Sequence, residues 1–322
     1  MILPGLVESI IPEGSFFDVN QYQDVLSKKE YGDFLTPFVL FGNLIDMKNI
    51  NDQFLGQVKG NMIKNKYDKY LMLTQLPDEV WDNLPIKSHE LISPTEEQEN
   101  ELSLALNHLS ENYPVGYELF SKFARTIAWV RLKDEFKGKD SQITSSSFPI
   151  LPLCIFVSDK AQHHIPPNSV SKESSYRFLA ENLYHEAVHQ AVNMNLLMFD
   201  IFVDNYNSQD SPKIEIPWRY NQVKRNQYWE LDRTFHATVV YSQMIRYRLN
   251  QINDTKLKVF ERVAFEGSII SGLEAASYLS KSLLNCEQYF TEKGTELIKD
   301  LALDIDSIGK IVLEALPENP IK

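Results

Sequence analysis

The segment His185-Glu-Ala-Val-His189 carries the residue types that bind and use a divalent metal ion. On an α-helix, residues four apart lie on one face about a turn apart, so the imidazoles of His185 and His189 can bind one ion. Glu186 follows the first histidine and can face the space beside that ion, where a carboxylate can act as a general base. The segment therefore predicts a metal site on a helix.

A third ligand is needed because two histidines alone make a poor metal site. The best candidate is His236, which lies in WELDRTFHATVVYSQM on the inward, apolar face of a predicted helix. Glu230 and Asp232 are the carboxylate alternatives, and Asp232 could instead orient His236 as a hydrogen-bond partner. The other histidines are expected to be bystanders: His89 and His108 at the surface, and His163 and His164 in a proline-rich loop.

Three readings of this site follow from the residue types alone. A zinc ion would activate water for a metallopeptidase, with Glu186 as general base. An iron ion with three facial ligands would leave positions for 2-oxoglutarate and O₂, and an arginine would then pair with the distal carboxylate. Arg219, Arg225 and Arg233 all precede His236 and are candidates for that pairing. In the third reading, the protein is a binding module that keeps a metal for stability.

The elements that hold these residues can be predicted from periodicity and capping. Strands are predicted at Thr126–Leu132 and 148–157, with part of the GKDSQITSSS stretch between them as an edge strand. A long helix over about 172–198, capped by Ser171, carries the two motif histidines, and a second helix over about 227–249 carries His236.

The rest of the chain is predicted to be mainly helical. Helical segments are expected within residues 15–85, at 94–125 after capping residues, and at 256–316 with a break at Gly294. The predicted fold class is α+β, predominantly helical, with a small sheet packed beside a zincin-like HExxH helix. Residues 1–95 are predicted as a mostly helical region without an assigned role, and residues 96–322 as the metal-binding catalytic domain.

Composition limits the classes of partner. The net charge of -12 and the lack of a Lys/Arg cluster argue against a nucleic-acid partner. No apolar run is long enough for a membrane span, and the N-terminal sequence lacks the pattern of a signal peptide. Cys154, expected to be buried, and Cys286 form no CxxC pair, which favours a reducing compartment. These features predict a soluble, cytoplasmic protein.

Three segments of the chain resemble the HExxH-motif peptide-modification protein family. The segment SSSFPILPLCIFVS followed by FLAENLYHEAVHQAV is similar to the family's serine-rich strand, second strand and L-x-His-Glu-x-x-His helix. Pro217-Trp218-Arg219, Arg225 and His236 are similar to its PWR…R…H region, and residues 272–305 to its C-terminal helical pair. The likeness covers roughly residues 100–305.

The resemblance implies a function as well as a fold. Some members of that family are Fe(II)- and 2-oxoglutarate-dependent β-hydroxylases of ribosomally made precursor peptides. This chain is therefore expected to be such a dioxygenase, with Glu186 as an orienting hydrogen-bond acceptor, and a zinc metallopeptidase is the alternative. The residues implied are His185, His189 and His236 on iron, and Arg219 or Arg225 on 2-oxoglutarate.

Overall fold

The computed structural model describes residues 26–45, 47, 52–139, 141–166, 169–220 and 226–316. These residues form two compact units that divide between Ala191 and Val192, called here the N-terminal and C-terminal units. The first contains a small mixed sheet flanked by helices, and the second is built mainly of long helices. The fold is α+β and predominantly helical, as predicted. The predicted boundary between residues 95 and 96, which separates regions by role, remains a prediction.

Helices and strands are numbered here in chain order. The α-helices are α1 Thr36–Leu44, α2 Asp52–Leu55, α3 Asp78–Asn83, α4 Glu96–Asn112, α5 Pro114–Phe123, α6 Tyr176–Met198, α7 Leu231–Ile252, α8 Val259–Leu284 and α9 Glu292–Ala315. The strands are β1 Lys59–Lys64, β2 Lys69–Gln75, β3 His89–Leu91, β4 Thr126–Leu132, β5 Ser145–Phe148, β6 Leu151–Val157, β7 His164–Ile165, β8 Ser169–Val170, β9 Ile214–Glu215 and β10 Tyr228–Trp229.

The main sheet has the strand order β1-β2-β4-β6-β5, and β3 pairs with the far end of β4. The parallel pairs β2–β4 and β4–β6 form its centre, whereas β1 and β5 are antiparallel edge strands. Every residue of β6 is buried, because this central strand is covered on both faces and is apolar throughout. The predicted bounds of β4 are confirmed, and so is an edge strand within the serine-rich stretch.

One hydrophobic cluster of the N-terminal unit lies on the face of the sheet that α1 covers. Phe38 and Phe41 of α1 belong to the same buried cluster as Leu71 of β2, Ala128 of β4 and Phe156 of β6. All five side chains are fully buried, and removing one of the phenylalanine rings would cost about 3–5 kcal/mol. The sheet that contains β5 is therefore well packed on the side of α1.

The helical prediction for the N-terminal region is wrong where the β1–β2 hairpin lies. The apolar run of β2 is only four residues long, Tyr70 to Leu73, and a run of that length does not distinguish a buried strand from a buried helix. The turn is built by Asn65, whose side chain accepts hydrogen bonds from the backbone N–H groups of Tyr67 and Asp68 at 2.9 and 2.7 Å. Such an Asx turn reverses the chain and pairs the two strands.

Helix boundaries also differ from prediction. The helix predicted over about 227–249 is α7, which begins at Leu231 after the short strand β10. The motif helix α6 begins at Tyr176 because the Ser175 hydroxyl accepts a hydrogen bond from the Arg177 N–H at 3.0 Å. Ser171 instead accepts from the N–H of Glu173 in the preceding loop. The predicted helix over 94–125 is two helices, since Pro114 starts α5 directly after α4 ends.

The C-terminal unit packs α7, α8 and α9 against one another. The break predicted at Gly294 falls earlier, over residues 285–291, and Gly294 lies in the first turn of α9. There its N–H donates to the Thr291 hydroxyl at 3.0 Å. A Cβ at position 294 would lie 2.0 Å from the carbonyl oxygen of Ile201, so only glycine allows this close approach. Within the described part of the chain, no helix has both the length and the apolar content of a membrane span.

Candidate metal centre

Helix α6 presents two polar stripes, and one of them faces the sheet. Asn182, Glu186 and Gln190 follow one another at intervals of four residues and are all buried. His185 and His189 lie on the neighbouring face of the same helix and are partly buried. The apolar residues on the rest of the helix circumference, such as Leu183, are buried in the N-terminal unit.

The two motif histidines converge at their Nε2 atoms. His185 Nε2 and His189 Nε2 lie 2.7 Å apart, and the ring centroids are separated by 4.5 Å. Desolvation lowers the pKa of His189 to about 4, so its imidazole is neutral at neutral pH and has a lone pair to offer. Together with Glu186, these side chains form a group of potential metal ligands whose donor atoms all lie within 4.8 Å of one another.

The Glu186 carboxylate is held by two serines of the edge strand β5. Ser145 donates its hydroxyl to Oε1 at 2.7 Å, and Ser147 donates to Oε2 at 2.8 Å. Burial raises the pKa of Glu186 to about 7, against the opposing effect of these hydrogen bonds and one from the Ser147 backbone. Both carboxylate oxygens are therefore engaged within the N-terminal unit.

The other members of the sheet-facing stripe are anchored as well. Asn182 donates to the carbonyl oxygens of Ala161 and His164 at 3.1 and 2.8 Å, and its own oxygen lies 3.1 Å from the Ser145 hydroxyl. Gln190 donates to the carbonyl oxygen of Cys154 in β6 at 3.3 Å. The stripe thus joins α6 to the sheet and to the loop beside it.

A divalent ion fits the histidine pair by the chemistry of its donors. Two nitrogens that bind one zinc or iron ion at about 2.1 Å are separated by about 3.0 Å at a 90° angle and by about 3.4 Å at a tetrahedral angle. The 2.7 Å between the two Nε2 atoms would therefore lengthen slightly when an ion binds. Neutral imidazole suits both metals, and the carboxylate beside it would favour a bound cation. His185 and His189 are thus suited to hold the ion that the motif predicts.

His236 lies in the C-terminal unit, on α7, where it is partly buried. The carboxylate alternatives on the same segment have other partners. The Asp232 carboxylate accepts a hydrogen bond from the Tyr206 hydroxyl at 2.9 Å, and Glu230, just before α7, lies 3.4 Å from the Lys213 ammonium group. His236 therefore remains the predicted third ligand.

Of the candidate arginines, Arg219 and Arg233 are described, whereas Arg225 lies outside the described residues. The guanidinium carbons of Arg219 and Arg233 lie 4.6 and 4.9 Å from the centroid of the Trp229 ring. Trp229 is buried, and Trp218 packs edge-on against it. This stacking orients the Arg219 guanidinium in the C-terminal unit.

The prediction that His89 and His108 lie at the surface is wrong. Both are buried, and each has hydrogen-bond partners within the N-terminal unit. His89 Nε2 accepts from the backbone N–H of Ile143 at 3.1 Å, and His108 Nδ1 lies 3.1 Å from the side-chain nitrogen of Asn112. Their polar neighbours in sequence did not reveal these partners. Cys154 is buried as predicted, and burial raises its pKa to about 12.

Ser145 and Ser147 are the site residues that sequence reasoning missed. Their alternation along a predicted edge strand was visible, and alternate residues of a strand share one face. Which helix residue they would meet was not visible, because the contact joins positions 39 and 41 residues apart.

Comparison of the chain with protein-family models and with curated proteins gives no match. The likeness to the HExxH-motif peptide-modification family therefore depends on the motif residues quoted above.

Proposed function

We propose that the protein is an Fe(II)/2-oxoglutarate-dependent dioxygenase that hydroxylates a side-chain β-carbon of a ribosomally made precursor peptide. The observation that carries the metal-dependent part is the convergence of His185 Nε2 and His189 Nε2, one of them on a ring kept neutral by desolvation. The resemblance of the strand–strand–helix segment and of the PWR region supports the choice of reaction and substrate.

The hydrogen bonds of Glu186 support its proposed role as an orienting acceptor. Each of its carboxylate oxygens accepts one hydroxyl hydrogen bond from β5, at 2.7 and 2.8 Å. A carboxylate held in this way is suited to orient the helix, which is the role that the oxygenase reading assigns to it. The zincin-like character of the fold is part of the proposal, because it depends on the same helix.

The remaining roles fall to the C-terminal unit. His236 would be the third protein ligand. The set would then be three histidines in place of the more usual two histidines and one carboxylate, and it would leave positions on Fe(II) for 2-oxoglutarate and O₂. Arg219, or failing that Arg225, would pair with the distal carboxylate of 2-oxoglutarate through two parallel hydrogen bonds, as the resemblance implies. The guanidinium of Arg219 stacks on Trp229, as that of Arg233 also does. Bound iron would supply the activation of O₂, coupled to oxidative decarboxylation of 2-oxoglutarate to succinate and CO₂.

The test is turnover with anaerobically loaded iron. We expect O₂-dependent formation of succinate and a mass gain of one oxygen on a precursor peptide encoded beside this chain. Zinc-loaded protein should neither consume 2-oxoglutarate nor cleave the peptide. Peptide cleavage by the zinc form, abolished in Glu186→Gln, would overturn the proposal in favour of the metallopeptidase.

A further inference from the structure

We infer that Ser145 and Ser147 are positioning residues for the proposed metal site. Through the Glu186 carboxylate they fix the rotation of α6 about its own axis, and so the point at which the His185 and His189 nitrogens converge. This inference rests on the proposed metal site and adds to it two residues that touch neither metal nor substrate.

Strand β5 is held in place by its pairing with the buried strand β6. Ser145 pairs with Val157 and Ser147 with Ile155 of the fully buried strand β6. The backbone N–H of Ser158 continues this pairing by donating to the carbonyl oxygen of Thr144 at 3.0 Å. A hydroxyl on this strand is therefore a fixed point for whatever it binds.

Glu186 lies at the middle of the stripe by which α6 contacts the sheet. Asn182 and Gln190, one turn to either side, bind backbone carbonyl groups through single side-chain amides. Glu186 forms two short, charge-assisted hydrogen bonds when it is ionised, which are stronger than neutral ones. The Glu186 contact is the one next to the histidines in sequence.

A small rotation of α6 about its axis would displace the histidine nitrogens. The end of a side chain lies about 5–6 Å from the axis of its helix, so a rotation of about 10° moves it by about 1 Å. A displacement of that size is large against metal–ligand bonds of about 2.1 Å. Residues that orient ligands from outside the coordination sphere typically contribute about 10- to 100-fold to metal affinity.

The test uses Co(II) as the probe, because its visible spectrum reports coordination number and geometry. We expect the single variants Ser145→Ala and Ser147→Ala each to bind Co(II) about tenfold more weakly than the wild-type protein, and the double variant more weakly still. The spectrum of the bound ion should also change. Ser147→Thr, which keeps the hydroxyl, should restore both affinity and spectrum relative to Ser147→Ala.

Two controls separate positioning from general stability. Ser146→Ala changes the same residue type on the same strand, but its side chain points to the opposite face, so it should bind Co(II) as the wild-type protein does. Tyr117→Phe removes the hydrogen bond that Tyr117 donates to Asp68 and those it accepts from Tyr70 and Asn65, elsewhere in the N-terminal unit. This variant should lower the Tm without altering the Co(II) spectrum.

The outcomes distinguish this inference from the proposal beneath it. If the wild-type protein binds no Co(II), the metal site itself is wrong. If the wild-type protein binds Co(II) and the single serine variants bind it with unchanged affinity and spectrum, the metal site stands and the positioning role is refuted. The single variants serve this purpose even if the double variant does not fold.

Discussion

The side chains of His185 and His189 meet with their Nε2 atoms 2.7 Å apart on α6. Adjacent turns of a helix bring such side chains near each other, but the helix does not by itself direct both rings to one point. Here the sheet-facing stripe of the same helix is anchored to β5 and β6, which leaves the histidine face in a defined orientation. The orientation of the motif histidines thus depends on the hydrogen bonds that hold α6 to β5 and β6.

Loss of either motif histidine should abolish specific metal binding. His185→Ala and His189→Ala each remove a ligand. Loss of a residue that only orients a ligand lowers metal affinity by about 10- to 100-fold, so loss of a ligand itself should lower Co(II) affinity by more than that. Equilibrium titration followed by visible absorbance measures this. His163→Ala is the matched control, since His163 lies in a loop outside the proposed ligand set. Equal affinity in all three variants would contradict the assignment.

Glu186 should make the metal-free protein less stable as the pH rises. Its pKa is about 7 in the folded protein against an ordinary value of 4.5, so its contribution to stability is fully present below 4.5 and is lost as the pH rises through 7. Glu186→Gln does not titrate. As the pH rises from below 4.5 to above 7, the free energy of unfolding of the wild-type protein should therefore fall, relative to that of the variant, by up to roughly 3 kcal/mol.

Denaturant titrations from pH 4 to pH 9 measure that difference. Bound metal should reduce it, because a nearby cation favours the ionised carboxylate. Parallel pH profiles for the wild-type protein and Glu186→Gln would show that burial does not shift this group.

His236→Ala should weaken metal binding and stop succinate formation. The two ligands on α6 would remain, so residual Co(II) binding with an altered spectrum is expected rather than complete loss. His236→Gln supplies a weaker oxygen or nitrogen ligand of similar size as a second variant. Wild-type affinity and turnover in both would remove His236 from the ligand set.

Arg219→Ala should raise the KM for 2-oxoglutarate by tenfold or more. A tenfold change corresponds to about 1.4 kcal/mol of binding free energy, within the range that a charge-assisted hydrogen bond contributes. Arg219→Lys should rescue little, because a lysine cannot form the bidentate pair or stack on Trp229 in the same way. Arg262→Ala, which removes only a surface pair with Glu266, is the control. A normal KM in Arg219→Ala would direct attention to Arg225 or Arg233.

Gly294→Ala should destabilise the protein by about 1–3 kcal/mol or more, since the new Cβ would lie 2.0 Å from the Ile201 carbonyl oxygen. Gly267→Ala changes the same residue type in α8, where a Cβ meets nothing within 4 Å, and should stabilise the protein by about 0.5–1 kcal/mol. Thermal or denaturant unfolding compares the two. Equal effects of the same sign would contradict the close approach at Gly294.

Local patterns in the sequence determined the elements that carry the chemistry. Strand β4 was predicted with its observed bounds because its apolar run is flanked by clear polar ends, and the helix of the two motif histidines was predicted from spacing and periodicity. The site residues His185, Glu186 and His189 needed only the motif. The function and the choice of iron over zinc remain predictions that the residues and the resemblance support.

Tertiary structure decided what those elements touch. The chain pairs β1 with β2 where helices were predicted, because burial in a sheet outweighs weak local preferences in short apolar runs. It also brings Ser145 and Ser147 to Glu186 across about forty residues of sequence, a contact that depends on strand pairing and helix packing together. Sequence periodicity reports which face of an element is buried, whereas the partner on that face is selected by the whole fold.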